Sequence, residues 1–359
     1  MDKGGMRDAH MLQLLEMHNY GPYMDAAVEF SQNPDRPLTV IVGNAGTGKT
    51  SIMEAIAWCL YGRVMYDRHG GLPLTILHAH GDNPRGSCET RVCLTVLDTS
   101  GSRFKICRQT DASTTFPVRV AGGSGMSFTQ DSSITEATIQ KIDSDGSGID
   151  DPTPFGTDAA ESILPITLAR YGMYGEGFES LLYDSGHVRD SIGAAVRFCN
   201  SDVDTGVLQD QVSEYFLRFV NEDHYTGVIM EDGRLGTIVG GRRRFTGLSA
   251  ADQYALDLAF ILSLRNAAGI RFPLVLDSPF NRLSRKVRLN IAGHIHEFLG
   301  GSQAVFLISD AEYVGRSLDE DPSVKESFED KLGAEYCISR SDGLSAICPC
   351  ASDDKRPGF

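Results

Sequence analysis

Basic residues are scarce in this sequence, which carries 33 Lys and Arg against 48 Asp and Glu, for a formal net charge of -15. A surface that binds DNA over its whole extent needs clustered Lys and Arg, so this charge excludes that class of binder. Any DNA contact must come from a local basic patch or from a partner protein. Long apolar runs are missing too, since no stretch approaches the roughly 18 residues of a membrane span and no signal peptide is visible. The expected location is the cytoplasm, with no membrane partner.

Regularly spaced cysteines and heptad repeats are also missing. The eight cysteines are scattered through apolar segments, which predicts reduced thiols rather than a disulfide framework. Cys337, Cys348 and Cys350 lack a fourth ligand at zinc-like spacing, so free thiols are favoured over a metal site there. Without heptads, we expect no long coiled coil.

The strongest local motif is G-N-A-G-T-G-K-T at residues 43–50, a complete G-x-x-x-x-G-K-T match. A β-rich run precedes it, and apolar residues at helical spacing follow it. In such a strand, loop and helix, backbone N–H groups wrap phosphate oxygens and the helix N-terminus adds partial positive charge. Lys49 is predicted to contact the β- and γ-phosphates, and Thr50 to ligate Mg²⁺. The predicted cofactors are ATP and Mg²⁺, and the predicted binding residues are Gly43, Asn44, Ala45, Gly46, Thr47, Gly48, Lys49, Thr50, Ser51 and Ser249.

A second set of motifs lies near the other end of the chain. Residues 248–252, L-S-A-A-D, open a long helix that Ser249 can cap, with Asp252 three residues later. An apolar strand follows and ends in Asp277, which is placed to organise Mg²⁺, although a turn aspartate alone would look the same. Alternating helices and buried strands continue to residue 308, as is typical of a parallel sheet covered on both faces.

The order of these motifs resembles the ABC-type ATPase heads of the SMC, RecF and RecN group. The resemblance implies an α/β ABC-type P-loop ATPase head, with a mixed sheet flanked by helices and an antiparallel β subdomain. It implies an N-terminal lobe (1–198), a short connector in place of coiled-coil arms (199–240) and a C-terminal lobe (241–359). Heads of this group enclose two ATP molecules between two copies, which implies a homodimer in which Ser249 contacts the γ-phosphate held by the other copy.

Four segments are similar to the DndD-type ATPases of DNA phosphorothioation, a DNA sulfur modification. They are N-Y-G-P-Y at 19–23, Y-G-M-Y-G-E at 171–176, D-S-P-F-N-R-L at 277–283 and Q-A-V-F-L-I-S-D-A-E at 303–312. This resemblance implies an ATP-driven head that controls DNA engagement in a sulfur-modification complex. The sulfur chemistry itself would belong to other subunits, because no persulfide cysteine motif or pyridoxal lysine site is recognisable.

The sequence departs from the family pattern at three serines. Ser278 stands where many ABC ATPases carry a glutamate, Ser284 replaces an aspartate, and Ser309 replaces a histidine. Since phosphoryl transfer depends on positioning and charge stabilisation, we expect tight ATP binding and slow hydrolysis. Glu176 could supply the missing base. The predicted catalytic residues are Lys49, Asp277, Glu176 and Ser249, and the predicted metal ligands are Thr50 and Asp277.

Several alternatives stay open. Arg242, Arg243 and Arg244 form a dense basic cluster that could contact DNA phosphates, or could be a solvated loop before the signature helix. A RecF- or SbcC-like repair ATPase is favoured by the missing arms, and a non-hydrolysing ATP-gated binding module is favoured by the three serines. Residues 121–156, rich in Gly, Ser, Thr and Asp, are expected to form a surface insertion.

Overall fold

The computed structural model describes residues 10–61, 88–112, 134–154, 167–170, 173–174, 204–231, 234–267, 273–281, 283–315 and 323–350. The folded chain consists of two compact units whose segments alternate along the sequence. The first unit contains Met1–Met11, Phe30–Asn44 and Leu164–Tyr336. The second unit contains Leu12–Glu29, Ala45–Ile163 and Cys337–Phe359. The predicted lobes are continuous stretches of sequence, whereas each compact unit combines separate segments. The boundaries of the lobes therefore stay a prediction.

The regular elements are named here in chain order. The strands are β1 (Met11–Tyr20), β2 (Tyr23–Glu29), β3 (Leu38–Val42), β4 (Cys88–Leu97), β5 (Arg103–Ala112), β6 (Ile134–Ile142), β7 (Thr153–Pro154), β8 (Thr167–Arg170), β9 (Met173–Tyr174), β10 (Tyr225–Glu231), β11 (Arg234–Val239), β12 (Arg242–Arg244), β13 (Leu274–Asp277), β14 (Ala304–Ile308), β15 (Leu332–Ser341) and β16 (Leu344–Pro349). The α-helices are α1 (Lys49–Tyr61), α2 (Thr205–Val220), α3 (Ala250–Ala267), α4 (Arg285–Phe298), α5 (Asp310–Tyr313) and α6 (Val324–Phe328).

A parallel sheet forms the centre of the first unit. β14 pairs in parallel with β3 on one side and with β13 on the other, and β13 pairs in parallel with β8. The antiparallel strand β9 follows β8, while β15 lies on the far side of β3 with β16 beside it, so the sheet is mixed. Every residue of β3, β13 and β14 is buried. This burial explains why their sequences are nearly continuous apolar runs rather than alternating ones.

The helices of the first unit share one hydrophobic core with its sheet. α2 buries one face and packs against α3, α4 and β10. In α3, every residue from Tyr254 to Arg265 is buried, so this helix is covered all round. A helix of this kind lies inside its domain rather than on the surface. β10, β11 and β12 form a separate antiparallel sheet of three strands.

The second unit is built on an antiparallel sheet in the order β2-β1-β4-β5-β6-β7. α1 packs against β4 and β5, where Val92, Leu94 and Ile106 are fully buried. Arg108 crosses this layer and donates hydrogen bonds to the carbonyls of Cys59 and Leu60 near the end of α1. The antiparallel β subdomain expected from the resemblance is therefore present.

Several sequence predictions are corrected by the structure. The segment from Met11 to Phe30, whose sequence suggests a mixture of strand and loop, contains the hairpin β1-β2 with six registered pairs. Part of the expected surface insertion at 121–156 belongs to the sheet, because β6 pairs with β5 along its whole length. Residues 121–133 and 155–156 lie outside the described part. The sequence from Asp184 to Phe219 suggests two short helices, and the described part of this segment contains α2 alone.

The cysteines differ most from expectation. Cys93 and Cys107 face each other across β4 and β5 and form a disulfide, and Cys337 is bonded to Cys350. The prediction of reduced thiols, and of free thiols at Cys337 and Cys350, was wrong. Cys59 and Cys348 carry free thiols.

Among the helices that the structure describes, none is long and apolar enough to cross a membrane.

Candidate functional site

Three parallel strands of the first unit bring predicted site residues to one edge of the sheet. Across β3, β14 and β13, Val42 pairs with Ile308, and Leu307 pairs with Asp277. The next residues stay in contact, because the Gly43 N–H donates to the Ile308 carbonyl at 3.0 Å and the Ser278 N–H to the Leu307 carbonyl at 2.8 Å. The start of the glycine-rich loop, the end of β14 and the acid that ends β13 therefore emerge side by side.

Asp277 is buried, with 1% of its surface exposed, at the carboxyl end of β13. The next residue, Ser278, has a φ of +51°, in the left-handed region that few non-glycine residues occupy. Its hydroxyl lies 3.3 Å from Asp277 Oδ1. Such backbone conformations concentrate at functional sites, where surrounding contacts hold them. The contacts of Ser278 with Leu307 and Asp277 thus fix the turn that follows β13.

Mg²⁺ prefers oxygen ligands and is usually bound by one or two carboxylates together with substrate phosphates. In the first unit Asp277 is a buried carboxylate of this kind, and in the second unit Thr50 carries a hydroxyl at the start of α1. The described residues contain no group of three or more His, Cys, Asp or Glu that could form an all-protein cage. The assignment of Thr50 and Asp277 as ligands stays a prediction.

The rest of the glycine-rich loop belongs to the second unit and begins α1 at Lys49. Gly46 and Gly48 have φ values of +78° and +109°, which side chains rarely allow. At Gly48 the space is closed as well: a Cβ there would lie 2.7 Å from Pro22 Cγ and 2.8 Å from Tyr23 Oη. Lys49 is 8% exposed. The motif therefore needs glycine at Gly48 for two separate reasons.

Three successive carbonyls of this loop accept hydrogen bonds from side chains of the second unit. Tyr23 Oη donates to Gly48 O at 3.1 Å, Ser345 Oγ donates to Thr47 O at 2.7 Å, and Arg340 Nη1 donates to Gly46 O. We call these three donors the carbonyl clamp. Two of them lie on β15 and β16, and the third begins β2.

The carbonyl clamp determines where the loop's N–H groups point. In a planar trans peptide, the C=O of one residue and the N–H of the next point in opposite directions. The N–H groups of Thr47, Gly48 and Lys49 are therefore directed away from the clamp. Successive N–H groups that face one side, at a helix N-terminus, form an anion-binding concavity. The orientation of these three N–H groups at the start of α1 is compatible with phosphate binding, and the binding role of the loop residues stays a prediction.

Ser249 stands exposed at the N-terminus of α3, as the sequence predicts. Its hydroxyl donates to Asp252 Oδ2 at 2.9 Å and accepts from the Asp252 N–H at 3.1 Å. The phenol of Tyr225 donates to the same carboxylate oxygen at 2.9 Å. The capping interaction predicted for this helix is confirmed, and its serine faces solvent.

The two other substituted serines cap helices. Ser284 caps α4 through the Val287 N–H, and Ser309 caps α5. Ser309 shares a capping box with Glu312, whose side chain is 5% exposed. The S-x-x-E spacing of a capping box was visible in the sequence at 309–312, so Glu312 could have been found from it.

Helix α3, which follows Ser249, also contains a buried acid that the sequence analysis did not predict. Asp257 is 4% exposed and accepts a hydrogen bond from Gln253 Nε2 at 2.7 Å. Burial raises the pKa of Asp257 to about 8, and the Gln253 hydrogen bond acts in the opposite direction. No local motif in the sequence around Asp257 indicates that its carboxyl group is buried.

The arginine cluster occupies an edge strand rather than the expected loop. Arg242, Arg243 and Arg244 form β12, and all three are exposed. Arg243 Nη1 donates to both carboxylate oxygens of Glu231, at 2.8 and 2.7 Å. Glu176, the predicted substitute base, lies outside the described residues, while Ser51 lies on α1 in the second unit.

Comparison with known proteins agrees with this arrangement. The AAA domain family (AAA_23) matches residues 14–149. The SbcC protein of the SbcCD nuclease of Staphylococcus aureus is 30% identical over 70 residues, which is 20% of this chain and 7% of the relative. The match thus spans a small fraction of that much longer protein.

Solved structures extend the likeness to nearly the whole chain. The SMC head domain of Thermotoga maritima superposes with a TM-score of 0.54 at 16% identity, covering 95% of this chain and 99% of the other. The fold is that of an SMC-type ATPase head. A Pyrococcus furiosus Smc head with an extended coiled coil, bound to the C-terminal domain of ScpA, gives a TM-score of 0.57 at 13% identity and covers 95% and 96% of the two chains. At these identities the SMC-type head fold is what the proteins share.

Proposed function

We propose that this SMC-type head binds ATP and hydrolyses it slowly, and that it does so in a head-to-head dimer that controls DNA engagement by a DNA sulfur-modification complex. The observation that carries the nucleotide part is the carbonyl clamp, because the N–H groups of Thr47, Gly48 and Lys49 point away from the three carbonyls that it binds. The sheet edge of the first unit adds a buried carboxylate, Asp277, of the kind that holds Mg²⁺.

Each residue of the loop has a definite task in this proposal. The N–H groups of Thr47, Gly48 and Lys49 bind phosphate oxygens, and the Lys49 ammonium contacts the β- and γ-phosphates. Thr50 and Asp277 hold Mg²⁺, which when bound neutralises charge on the transferring phosphate. Gly43, Asn44, Ala45, Gly46 and Ser51 complete the binding loop.

Dimerisation is supported by Ser249, which is exposed and fixed by its bonds to Asp252. Ser249 can offer its N–H to the γ-phosphate of a second copy, and its hydroxyl can rotate from Asp252 to the same phosphate. Hydrolysis would then depend on protein concentration. Binding DNA is assigned to Arg242, Arg243 and Arg244, which are exposed on β12 within an otherwise acidic protein.

The sulfur-modification role rests on the four DndD-like segments, and it includes partner subunits and a cytoplasmic location. A second candidate, an SbcC-like DNA repair head, is favoured by the 70-residue match to the nuclease protein. A third, a non-hydrolysing ATP-gated module, is favoured by Ser278 at the position next to Asp277. Co-purification with a cysteine desulfurase or another sulfur-transfer protein would favour the first over the second.

The deciding experiment measures ATP binding and steady-state hydrolysis, with and without duplex DNA, for the wild type, Lys49→Ala and Lys286→Ala. Lys286 is the matched control, since its ammonium pairs with Glu222 on the surface. We expect turnover that rises with protein concentration, increases with DNA and disappears in Lys49→Ala alone. Binding without turnover in the wild type would replace the proposal by the ATP-gated module, and nucleotide binding that survives Lys49→Ala unchanged would refute it.

A further inference from the structure

The antiparallel sheet of the second unit contains a cavity of about 460 Å³. Its lining comes from β1, β2, β4 and β5 and includes both cysteines of the Cys93–Cys107 disulfide. Their strand neighbours Val92 and Ile106 are buried where β4 and β5 pack against α1. Because successive residues of a strand face opposite sides of the sheet, the disulfide lies on the side away from α1. The cavity and the disulfide thus belong to one face of one unit.

Each cysteine of this disulfide has a cationic residue two positions before it on the same strand. Arg91 precedes Cys93 on β4, and Lys105 precedes Cys107 on β5. Since alternate residues of a strand face the same side, both cations share the face of the disulfide, and both line the cavity. Cationic side chains favour the thiolate form of a nearby cysteine. The cavity therefore favours the charged group that a disulfide releases when a thiol attacks it.

The remaining charges of the cavity are paired with one another. Lys105 Nζ lies 2.6 Å from Glu16 Oε2, and His18 Nδ1 lies 2.6 Å from Asp25 Oδ1. Arg91 is exposed, and it takes part in no ion pair among the residues that the structure describes. A guanidinium binds a carboxylate through two parallel hydrogen bonds. The cavity thus offers one free cation to a small molecule that carries a carboxylate.

We propose that this cavity is a site of thiol–disulfide exchange for a low-molecular-weight thiol that carries a carboxylate. The carboxylate of this ligand binds the Arg91 guanidinium, and its thiol attacks the disulfide that lines the same cavity. The volume of about 460 Å³ lies within the range of small-molecule sites, roughly 300–1,000 Å³. The loop at residues 43–51 lies outside the lining of the cavity, so the inference does not depend on the proposed ATPase activity.

The exchange step balances with the thiol as its co-reactant. The ligand loses its thiol proton to water and attacks Cys107 Sγ, because Cys107 is partly exposed whereas Cys93 is only 5% exposed. A bond forms between the ligand sulfur and Cys107, and the bond between Cys107 and Cys93 breaks. The electron pair of the broken bond stays on Cys93 as a thiolate, which takes up a proton from water. The ligand sulfur is oxidised, Cys93 is reduced, and Cys107 carries the ligand in a mixed disulfide.

The test uses three thiols that share one two-carbon chain and differ in its terminal group: β-mercaptopropionate is anionic, β-mercaptoethanol is neutral and cysteamine is cationic. Acid quenching, alkylation and peptide mass mapping measure how fast each thiol opens the Cys93–Cys107 disulfide and detect the mixed disulfide on Cys107. The quantity compared is the rate with the anionic thiol divided by the rate with the neutral one. In Arg91→Ala this ratio should fall about tenfold, as the loss of a hydrogen bond between charged groups predicts. The corresponding ratio for cysteamine should not fall.

Two controls accompany this comparison. Arg103→Ala changes an arginine of β5 that bonds the Ser144 carbonyl and does not line the cavity, so it should leave both ratios unchanged. The Cys337–Cys350 disulfide of the same unit is the internal control, and its ratios should be equal in the wild type and in Arg91→Ala. An unchanged ratio in Arg91→Ala, or an equal fall with cysteamine, would overturn the inference. A Cys93–Cys107 disulfide that stays intact in all three thiols until the protein unfolds would overturn it as well.

Discussion

The phenol oxygen of Tyr23 donates a hydrogen bond of 3.1 Å to the carbonyl of Gly48, 25 residues later in the chain. Tyr23 is 1% exposed, and its burial raises the pKa of the phenol well above the ordinary value. The phenol therefore remains a protonated donor at every physiological pH. The bond connects the beginning of β2 to the last glycine of the phosphate-binding loop. The same tyrosine excludes a side chain at Gly48, so it both orients the loop and restricts its sequence.

Removing single members of the carbonyl clamp should weaken ATP binding. In Ser345→Ala the Thr47 carbonyl loses its 2.7 Å bond, and in Tyr23→Phe the Gly48 carbonyl loses its donor. A hydrogen bond of this kind contributes about 1 kcal/mol, so the dissociation constant for ATP should rise roughly fivefold in each variant. Titration with a fluorescent ATP analogue measures the change.

Ser341→Ala is the control, because Ser341 ends β15 and its hydroxyl bonds Asp342 in the turn before β16. An equal loss of ATP affinity in this control would contradict the role of the carbonyl clamp.

The two left-handed glycines of the loop should respond differently to alanine. At Gly46 a Cβ meets no atom closer than 4.0 Å, from Arg340, so Gly46→Ala carries the conformational penalty of a positive φ alone. At Gly48 the same methyl group would also overlap Pro22 and Tyr23. We expect Gly48→Ala to abolish ATP binding and Gly46→Ala to weaken it. Calorimetric titration measures the affinity of each variant for ATP, and melting curves confirm that each variant is folded. Equal affinities of the two variants would contradict the prediction, because they would show that Pro22 and Tyr23 move to make room for the methyl group at Gly48.

Asp257 should make the stability of the protein depend on pH. Its pKa of about 8 in the folded chain exceeds the usual value near 3.9 in an unfolded one, so between these values the native state holds a proton that the unfolded state has released. The contribution is fully present below about pH 4 and is lost as pH rises toward 8. Asp257→Asn should remove this loss, so the melting temperature of the variant relative to that of the wild type should rise from pH 5 to about pH 8 and then level off.

The control for this prediction is Asp210→Asn, which changes an exposed carboxylate on α2. Its difference from the wild type should stay constant over the same pH range. A constant difference for Asp257→Asn as well would mean that the Asp257 carboxylate is ionised in the native protein at neutral pH.

Removing the β12 arginines should weaken binding to duplex DNA in a salt-dependent way. Replacing Arg242, Arg243 and Arg244 with alanine removes three exposed cations. Each lost phosphate contact reduces the slope of log affinity against log salt by about 1. Fluorescence anisotropy at several salt concentrations measures that slope. The control is Arg218→Ala, which removes an arginine of α2 that pairs with Glu214 and Glu297. This variant should leave the salt slope unchanged. An unaltered slope in the triple variant would place the DNA surface elsewhere.

The parts of the fold that the sequence predicts are those whose signals are local. The strand, loop and helix around Lys49 and the strand that ends in Asp277 were identified because apolar runs, glycines and a terminal acid lie next to one another. The head fold followed from their order. The catalytic and binding residues assigned from this order, Glu176 among them, stay predictions.

Features that depend on distant pairing were missed. The Cys93–Cys107 disulfide depends on the register of β4 against β5, which places the two cysteines opposite each other. Arg340 and Ser345 bind the loop carbonyls from 294 and 298 residues away, so no local pattern identifies them. Residues 134–142 resembled a surface insertion because their neighbours are polar, but main-chain pairing with β5 makes them a strand. The polar composition of a segment therefore predicts its exposure to solvent better than it predicts whether the segment pairs with another strand.

The position of β3 in its sheet has a consequence for biosynthesis. Its two neighbours, β14 and β15, both come from beyond residue 303. During translation, the segment L-T-V-I-V therefore leaves the ribosome long before β14 and β15, and it has no neighbour in this sheet until they are made. Unpaired apolar strands recruit other chains, and pairing between distant segments is slow. The yield of this protein in a cell should accordingly depend on elongation rate and on chaperone supply during synthesis.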